Sequence, residues 1–585
     1  MANKNNSLED YKKRFNTWRG NEYFDADTQN ELSQISADKD EIYDRFYKNL
    51  EFGTAGLRGV MGAGTNRMNV YVVRRASFAV AEYILSLGKE AAAGGIAVAY
   101  DTRNNSFTYA AEAASVFASR GIKTYIFDAT APVPLLSFTV WSMQLTAGIM
   151  ITASHNPKEY NGYKVFWKGG VQISPEIAGE ITAIIDRYDD ISSLPPLENY
   201  RSLKKRRKIP YVPAEVVNAY LDRVAGVVAD EDIIKKHGDS LVTVYSPLHG
   251  AGARYVKSVF KRRGLSANFH IVGKQEKADG DFPTVVLPNP ETDEAFTLGL
   301  RMARKFCADI VIGTDPDSDR AGAFVRDKDG NYKKLTGNKI GCLFMEYLVE
   351  CRRRNNKLPE APFAVSTIVS TDLAPQIAQS KGVEFKQVLT GFKYIGDLIT
   401  DENKDSFILG FEESYGFLTE GYARDKDGVA ASLILAEMAL YYKVAENKTL
   451  CEKLEELYQR FGYRHESAFS IELTGESGHE SILKIMDTLR EKGASILPYK
   501  IRSVMDVKKS TITDCATGKV GRIDLPESDV LKYETDKGWI AVRPSGTEPK
   551  IKIYVGIRSG ISEEDADGTA AKIKEELKDI ISGLI

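Results

Sequence analysis

A serine at the end of a short apolar run is the first residue of this chain that could do chemistry. Ser154 lies in segment 152–157, which follows the apolar run 147–151 and ends in an Asn-Pro pair that turns the chain. In parallel α/β sheets the strand ends open onto the ligand crevice, so a serine there could act as a nucleophile. Taken alone, the segment is also compatible with a plain turn in which the serine makes a local hydrogen bond.

Three aspartates alternate along a second loop, again directly after an apolar run. Asp315, Asp317 and Asp319 would fall on one side of an extended segment and could converge on a hard cation such as Mg²⁺. A calcium-binding helix-loop-helix also begins with alternating acids, but it needs Gly at the sixth position and Glu at the twelfth. Arg320 and Arg326 occupy those positions here. The spacing therefore favours Mg²⁺, with open coordination positions that suit a phosphate oxygen.

Two further segments combine glycine with arginine, as phosphate-binding loops do. Segment 52–64 is rich in glycine and contains Arg58, so backbone N–H groups and a guanidinium could approach an anion together. Its glycine spacing does not match the dinucleotide-binding fingerprint, and a helix-like stretch precedes it where that fingerprint needs a strand. Segment 542–549 could hold a phosphate or form a polar turn, and its relevant residues are Arg543, Ser545, Gly546 and Thr547.

A fifth segment, 410–417, places carboxylates beside a hydroxyl after another apolar run. Glu412 and Ser414 could exchange hydrogen bonds with sugar hydroxyls. Lys393, Arg424 and Lys426 lie nearby in the sequence and could belong to the same site or be ordinary surface charge. The chain thus presents groups suited to a nucleophile, a cation, a phosphate and a sugar.

The secondary-structure elements that position these loops are predicted to be parallel α/β units. Short β-branched runs alternate with longer amphipathic stretches, and several of the candidate loops follow the short runs directly. A chain of 585 residues is too long for one hydrophobic core and indicates about three to five domains. The short runs predicted as strands cover residues 96–100, 124–127, 242–245, 310–312 and 407–409.

Composition narrows the class of partner. A net charge of −3 gives no bulk attraction to nucleic acid or to an anionic membrane, so we expect neither as a partner. No apolar stretch reaches the length of about 20 residues needed to cross a bilayer, and residues 1–6 lack the apolar core of a signal peptide, which favours a cytoplasmic protein. Five scattered cysteines indicate neither a disulfide framework nor a zinc site. The sequence does not predict an oligomeric state.

Together, these motifs resemble the α-D-phosphohexomutase family, specifically its phosphoglucomutase branch, which also contains phosphopentomutase-like members. The serine loop with 161–164, the metal loop 315–320, the sugar loop 412–414 and the phosphate loop 543–547 occur in the family's order. The resemblance implies an α/β fold in which three related α/β domains, with mixed or parallel sheets, and a smaller α+β C-terminal domain surround a central cleft. The implied domains, which carry these loops in turn, are 1–205, 206–325, 326–455 and 456–585.

The resemblance also implies a mechanism. Ser154 would carry a phosphoryl group and complete the coordination of Mg²⁺ by Asp315, Asp317 and Asp319. Transfer of this group to a sugar monophosphate would give glucose 1,6-bisphosphate, the intermediate and activator, which reorients and returns its other phosphate to the serine. By resemblance, Arg58, His155 and Lys164 assist catalysis, and Arg320, Lys393, Glu412, Ser414, Arg424, Lys426, Arg543, Ser545, Gly546 and Thr547 bind substrate.

The predicted activity is therefore an isomerase of glucose metabolism: a phosphoserine enzyme that interconverts α-D-glucose 1-phosphate and glucose 6-phosphate. Glu-Glu-Ser at 412–414 favours glucose, but Phe411 after Gly410 and the compact segment 158–164 are similar to the branch that includes pentomutases. Phosphopentomutase and phosphomannomutase activities remain alternatives, and the general base stays open between Arg58, His155 and Lys164.

Two functions from other classes of protein also remain as alternatives. A Mg²⁺-dependent sugar-phosphate phosphatase could use Asp315 as its nucleophile, but it would leave Ser154 and both arginine loops without a role. A non-catalytic sugar-phosphate-binding protein would have no need of the serine and the three aspartates together.

Overall fold

Each apolar run predicted as a strand lies in a β-sheet of the computed structural model, which describes residues 4–53, 56–473, 477–544 and 550–584. The chain forms four sheets in succession, each with its own helices. The predicted fold class of three α/β domains and a C-terminal domain is confirmed.

The first domain has a five-stranded sheet in the order β1-β5-β4-β2-β3, in which β2 is parallel to both β3 and β4 while β5 runs antiparallel. Apolar residues on β2 and β4 are buried on both faces because helices cover the sheet from both sides. The strands are β1 Leu57–Val60, β2 Ile96–Tyr100, β3 Thr124–Ile126, β4 Ala147–Ile151 and β5 Tyr160–Trp167. The helices are α1 Lys4–Trp18, α2 Ala26–Gln34, α3 Lys39–Phe46, α4 Val70–Ser86, α5 Lys89–Gly94, α6 Ser106–Ser119, α7 Val133–Ser142, α8 Pro175–Asp186 and α9 Tyr200–Lys205.

The second domain repeats this arrangement in the order β10-β9-β8-β6-β7. Its last strand ends at Leu335, so this sheet extends past the predicted boundary at residue 325. The strands are β6 Thr243–Ser246, β7 Phe269–Ile271, β8 Ile310–Thr314, β9 Ala321–Arg326 and β10 Tyr332–Leu335. The helices are α10 Ala214–Gly226, α11 Glu231–His237, α12 Gly252–Arg263, α13 Gly273–Glu276 and α14 Thr297–Phe306.

The third domain has a four-stranded sheet, β12-β11-β13-β14, with the same parallel centre. Its long apolar helix α18 begins at Asp427, whose side chain accepts hydrogen bonds from Val429 N and Ala430 N. The strands are β11 Phe363–Thr367, β12 Glu384–Val388, β13 Phe407–Glu412 and β14 Gly416–Leu418. The helices are α15 Gly337–Arg354, α16 Leu373–Ser380, α17 Phe392–Asp397, α18 Gly428–Ala445 and α19 Leu450–Phe461.

The fourth domain is an antiparallel sheet in the order β15-β21-β20-β19-β16-β17-β18 with two long helices against it. Short connections join consecutive strands such as β16 and β17, as expected where antiparallel pairing needs no crossover. The strands are β15 Tyr463–Glu472, β16 Ile501–Asp506, β17 Thr511–Asp514, β18 Val520–Arg522, β19 Leu531–Thr535, β20 Gly538–Pro544 and β21 Lys550–Ser559. The helices are α20 Ser477–Ile496 and α21 Glu563–Ser582.

The hydrophobic cores hold the domains together in different ways. One continuous core runs through the first three domains, whereas the fourth domain has its own core between its sheet and helices. A smaller apolar cluster, including Val369 and Trp539, joins the third domain to the fourth. Helix α18 is long and apolar enough to cross a membrane by length and composition, and in the structure 83% of it is buried in the protein, as for a core helix.

Candidate active site

The same topological position supplies a functional loop in three of the sheets. Strands β4, β8 and β13 each lie between a parallel neighbour and an antiparallel one, and each is followed by one of the predicted loops. These loops meet at a cavity of about 620 Å³, which we call the catalytic cavity. All four domains contribute to its wall, for example through Ser154, Asp319, Glu412 and Arg543.

Ser154 is buried, with 3% of its surface exposed, and has a positive φ of 52°. Its Oγ donates a hydrogen bond to Asp315 Oδ2 at 2.8 Å and lies 3.2 Å from His155 Nδ1. Its backbone N–H donates to Thr152 Oγ1 at 2.9 Å. The predicted nucleophile and the predicted metal loop are therefore in direct contact across the first and second domains.

Arg103, which follows β2, fixes the shape of the serine loop. Its Nη2 donates to the carbonyls of Ser154 and Asn156 at 2.6 and 2.5 Å, and its Nη1 donates to those of Pro157 and Tyr160 at 2.8 and 3.1 Å. Burial lowers the pKa of Arg103, although Asp101 opposes this shift. A single guanidinium thus donates to four carbonyls of this loop, of which that of Pro157 also accepts from Tyr160 N at 3.1 Å.

The glycine-rich segment approaches this loop closely. Gly56 has a φ of +74°, and a Cβ at this position would lie 1.8 Å from the carbonyl oxygen of Tyr163. Only glycine permits this contact, which brings the start of β1 beside β5. Arg58, on β1, lines the catalytic cavity and donates to Asn156 Oδ1 at 3.1 Å.

The three aspartates form a group that fits a divalent cation. Asp315, Asp317 and Asp319 are buried, and one potential ligand oxygen from each lies within 4.8 Å of the others. Asp317 Oδ1 and Asp319 Oδ1 are buried and accept no hydrogen bond from the described residues. Buried carboxylate oxygens without donors are expensive, and an oxygen-preferring cation such as Mg²⁺ would satisfy them.

Two lysines balance part of the negative charge of this group. Lys164 Nζ donates to Asp317 Oδ2 at 2.9 Å, and Lys426 Nζ lies 3.2 Å from Asp319 Oδ2. Although burial acts in the opposite direction, Lys426, Lys164 and Arg320 hold the pKa of Asp319 well below its ordinary value. Burial and the other two aspartates raise the pKa of Asp315 well above its ordinary value.

Two neighbouring basic residues differ in their charge. Burial, together with Arg320 and Arg58, lowers the pKa of His155 well below its ordinary value, so its imidazole is neutral at pH 7. Arg320 lines the catalytic cavity, where its backbone N–H donates to Asp315 Oδ1 at 3.1 Å and its guanidinium to Glu291 Oε1 at 2.6 Å. The same positive charges that keep this imidazole neutral also make it a weaker proton acceptor than an exposed histidine.

The sugar loop presents its two glutamates in different environments. Glu412 Oε1 accepts from Gly391 N at 2.8 Å, and burial raises the pKa of this carboxyl. Glu413 accepts from the hydroxyls of Thr367 and Ser370, at 3.0 and 3.2 Å. Both glutamates and Ser414 line the catalytic cavity, where they could bind sugar hydroxyls.

The fourth domain supplies a cationic wall. Arg543 Nη1 donates to Thr390 Oγ1 at 2.6 Å, and its cross-strand partner Lys552 also lines the catalytic cavity. Burial and the nearby cations Arg543 and Lys550 lower the pKa of Lys552, which an anionic ligand would reverse. Ser545, Gly546 and Thr547, the rest of the predicted phosphate loop, lie outside the described residues.

Two residues predicted to bind substrate lie away from this wall. Arg424 is buried, and its Nη1 donates to the carbonyls of Gly421 and Ala423 at 2.6 and 3.2 Å. The described lining of the catalytic cavity includes Lys426 and Phe392 but neither Arg424 nor Lys393. Lys393 Nζ lies 4.8 Å from the centre of the Tyr394 ring instead.

Sequence reasoning also missed several cavity residues. Lys552 alternates with apolar residues in β21 and pairs across the sheet with Arg543, so both side chains lie on the same face of the sheet. The register of β20 against β21 would therefore have predicted Lys552 as a cavity residue. Gln172 and Glu291 lie in irregular segments without a motif. Glu466 and Trp539 come from the fourth domain, and only the tertiary fold brings them to the cavity.

Comparison with known proteins gives the same division of the chain. Four models described as phosphoglucomutase/phosphomannomutase match in order: α/β/α domain I over residues 49–192, domain II over 218–330, domain III over 336–461 and the C-terminal domain over 491–576. Two relatives named phosphoglucomutase are similar over most of their length. That of Staphylococcus epidermidis is 36% identical over 536 residues, covering 90% of this chain and 93% of the relative. That of Staphylococcus aureus is 35% identical over 532 residues, covering 90% and 92%.

Solved structures share the fold at lower identity. Parafusin, a phosphoglucomutase from Paramecium, superposes with a TM-score of 0.66 at 17% identity and covers 92% of this chain and 96% of its own. A phosphoglucomutase/phosphomannomutase family protein from Burkholderia thailandensis gives a TM-score of 0.64 at 18% identity, covering 91% and 97%.

Proposed function

The chain belongs to the phosphoglucomutase/phosphomannomutase family, and we propose that it interconverts α-D-glucose 1-phosphate and glucose 6-phosphate through a phosphoserine at Ser154. It is an enzyme of the phosphohexomutase type, an isomerase that transfers a phosphoryl group within its substrate. The contact that carries the proposal is the 2.8 Å hydrogen bond from Ser154 Oγ to Asp315. A cavity lined by Ser154, Asp319 and Arg543 supports the proposal further.

The serine end of the cavity would perform the transfer. Asp315, Asp317 and Asp319 would hold Mg²⁺ with an oxygen of Ser154, and the cation would neutralise charge on the phosphoryl group. Lys164 and Arg58 add positive charge from the first domain. Phosphoryl transfer asks little of the protein beyond such positioning and charge neutralisation.

Transfer of the phosphoryl group to Ser154 also requires a group that takes the proton of its hydroxyl. When a phosphate returns to Ser154, its hydroxyl must lose a proton, and the neutral His155 Nδ1 lies 3.2 Å from that oxygen. In the forward step the accepting sugar hydroxyl must lose a proton in the same way. We propose His155 as the base that serves the serine on the ground of this short distance, whereas Lys164 Nζ is engaged with Asp317 at 2.9 Å.

The opposite wall would hold the phosphate that is not being transferred. Arg543 and Lys552 supply two positive charges there, and we propose that Ser545, Gly546 and Thr547 complete this site. Glu412 and Ser414 would bind the sugar hydroxyls between the two phosphates. Glucose 1,6-bisphosphate would then fit as the intermediate that reorients, and traces of it would activate the enzyme. We propose that Arg424 supports the segment before Lys426 through its hydrogen bonds to the Gly421 and Ala423 carbonyls. Lys393, next to Phe392 of the cavity wall, stays a proposed substrate-binding residue.

The substrates and location follow from the same site. Small sugar phosphates are the proposed partners, and we propose a cytoplasmic location because such charged metabolites do not cross a bilayer unaided. Glu-Glu-Ser at 412–414 is the feature that favours glucose over mannose and pentose phosphates.

Phosphorus NMR tests the proposal directly. The purified protein is mixed with Mg²⁺, glucose 1-phosphate and a trace of glucose 1,6-bisphosphate, with mannose 1-phosphate and ribose 1-phosphate in parallel samples. We expect a build-up of glucose 6-phosphate, no reaction without Mg²⁺, and slower conversion of the other two sugars. Release of free phosphate alone would instead identify a phosphatase, and no conversion of any sugar would contradict a mutase.

A further inference from the structure

A second cavity, of about 260 Å³, lies at the junction of the first three domains, and we call it the junction cavity. Trp141 of α7, Arg223 of α10 and Arg352 of α15 contribute to its wall, together with the segments 404–407 and 420–422. In the part of the chain that the structure describes, no residue lines both this cavity and the catalytic cavity.

The wall of the junction cavity has more basic than acidic side chains. Glu420 pairs with Arg352. Asp401, which accepts a hydrogen bond from Trp141 Nε1, lies 3.5 Å from Lys404 Nζ. Arg223 and Lys357 carry the positive charge that these pairs do not balance, and it acts on a small concave space. The basic residues are Arg223, Arg352, Lys357 and Lys404, and the acidic ones are Asp405 and Glu420.

Part of this wall is rigid. Arg352 is only 6% exposed, and its Nη2 donates to Thr419 O and Glu420 Oε1, both at 3.1 Å. Lys404 Nζ lies 5.2 Å from the centre of the Trp141 ring, which holds the lysine over an aromatic face. Arg223 and Lys357 are exposed at the rim, where they are able to close on a ligand.

The segment that forms one side of the junction cavity continues into the active site. Gly421 and Tyr422 line the junction cavity, and Lys426, a few residues later, lines the catalytic cavity and lies 3.2 Å from Asp319. Between them, Arg424 holds the Gly421 carbonyl at 2.6 Å. A ligand that fixes residues 420–422 therefore acts on the segment that positions Lys426.

We propose that the junction cavity binds a small phosphorylated metabolite that is not the substrate and that regulates the enzyme through residues 420–426. Guanidinium and ammonium groups in a confined space are the usual partners of phosphate, and the volume suits a ligand with one or two phosphoryl groups. The described lining of the junction cavity contains neither a serine nor a group of three aspartates, and the proposal is for binding alone.

Inorganic pyrophosphate serves as the probe, since it carries two phosphoryl groups and no sugar. Binding is followed through tryptophan fluorescence in full-length Arg543→Ala protein without Mg²⁺, which weakens anion binding in the catalytic cavity. Trp141 is one of four tryptophans, and we expect a saturable signal that disappears in Trp141→Phe. Arg223→Ala with Lys357→Ala should raise the Kd at least about tenfold, because two charged contacts with the phosphates are lost.

The matched control is Lys235→Ala with Lys236→Ala, at two exposed positions of α11. It changes the net charge by the same amount as the rim variant, Arg223→Ala with Lys357→Ala. The control variant should bind pyrophosphate as its parent does, and both double variants should keep the thermal midpoint of the parent because their residues are exposed. The proposal is overturned if no saturable signal occurs, if the rim variant binds pyrophosphate with the Kd of its parent, or if both double variants weaken binding equally.

Discussion

Ser154 has a backbone conformation that residues other than glycine seldom adopt. A φ of 52° places it in the left-handed region, which costs on the order of 1 kcal/mol for a residue with a Cβ. The four hydrogen bonds from Arg103 to carbonyls of this loop hold the conformation in place. The result is a hydroxyl that points at Asp315 and not into the first domain.

Replacing Ser154 with alanine removes the only atom that we propose as the phosphoryl carrier. We expect kcat to fall about a thousandfold or more, because loss of a nucleophile is not compensated by the remaining residues. The measurement is kcat with glucose 1-phosphate, together with intact-protein mass spectrometry for the phosphoserine. Ser193→Ala, at an exposed serine of the same domain, is the control. A kcat within tenfold of the parent would refute the assignment.

At this scale the sequence predicted the residues that directly follow buried strands. Ser154 and the three aspartates were found because an apolar run fixes where a strand ends and its loop begins. For Arg424 the family resemblance predicts substrate binding, and in the structure its guanidinium bonds to carbonyls of its own segment. The direction of a side chain in an irregular loop depends on tertiary contacts that no local pattern contains.

Among the elements, the loop after β5 links the first domain to the third. Gln172 Nε2 donates to Asp425 Oδ2 at 2.7 Å, and the other oxygen of Asp425 accepts from Lys426 Nζ at 3.0 Å. Gln172 therefore helps to orient the lysine that faces Asp319.

Gln172→Ala should lower kcat roughly tenfold, because Lys426 loses part of the support that fixes its position. We expect KM to change less, since the cationic wall of the fourth domain is untouched. Steady-state kinetics measure the effect, with the exposed Gln379→Ala as the control. A kcat equal to that of the control would show that Gln172 has no part in positioning Lys426.

Strand β15 carries a carboxyl with an unusual proton affinity. Burial and the neighbouring Asp372 raise the pKa of Glu466 to about 7 from its ordinary value of 4.5, although Thr371 and Arg464 oppose the shift. An acid whose pKa is raised on folding binds its proton more tightly in the folded state. Its contribution to stability is therefore complete below pH 4.5 and is lost as the pH rises to 7.

Glu466→Gln keeps a neutral side chain at every pH and should remove this dependence. We expect equal thermal midpoints for variant and parent at pH 5 and a midpoint about 2–4 °C higher for the variant at pH 8. Differential scanning calorimetry at both pH values tests this, with the exposed Glu480→Gln as the control. A difference that does not grow with pH would mean that Glu466 does not titrate in this range.

The elements themselves were predicted unevenly. The run 96–100 coincides with β2 because a strand buried on both faces is apolar throughout. The run 407–409 marks only the start of β13, which continues to Glu412 because pairing with β14 extends it beyond the apolar core. Strands β17 and β18 are half exposed and carry no long apolar run, so only pairing along the sheet defines them.

At the scale of the whole molecule, one link between the third and fourth domains is a carboxylate that lies between two guanidiniums. The carboxylate belongs to Asp372, at the start of α16. Its Oδ1 lies 2.8 Å from Arg464 Nε, and its Oδ2 accepts a hydrogen bond from Arg558 Nε. Although burial opposes it, these two arginines lower the pKa of Asp372. Both arginines belong to the antiparallel sheet of the fourth domain.

Asp372→Asn should destabilise this attachment by about 3 kcal/mol, because the buried Arg464 loses its carboxylate partner, whereas Arg558 keeps Glu534 at 3.1 Å. We expect an earlier first transition in urea unfolding and a higher KM, since the fourth domain carries Arg543 and Lys552. Asp232→Asn, at an exposed position of α11, is the control. An unchanged first transition would show that the apolar cluster between the domains is sufficient by itself.

The spread of the catalytic cavity over all four domains has a consequence for the chain as it leaves the ribosome. Domains fold one after another during synthesis, so the serine loop and its aspartates come together long before Lys552 is translated. For tens of seconds the nascent protein has the proposed transfer site without its cationic wall. Ser154 could then be phosphorylated by a passing bisphosphate but could not hold a sugar for a full cycle, so turnover begins only once the last sheet has closed.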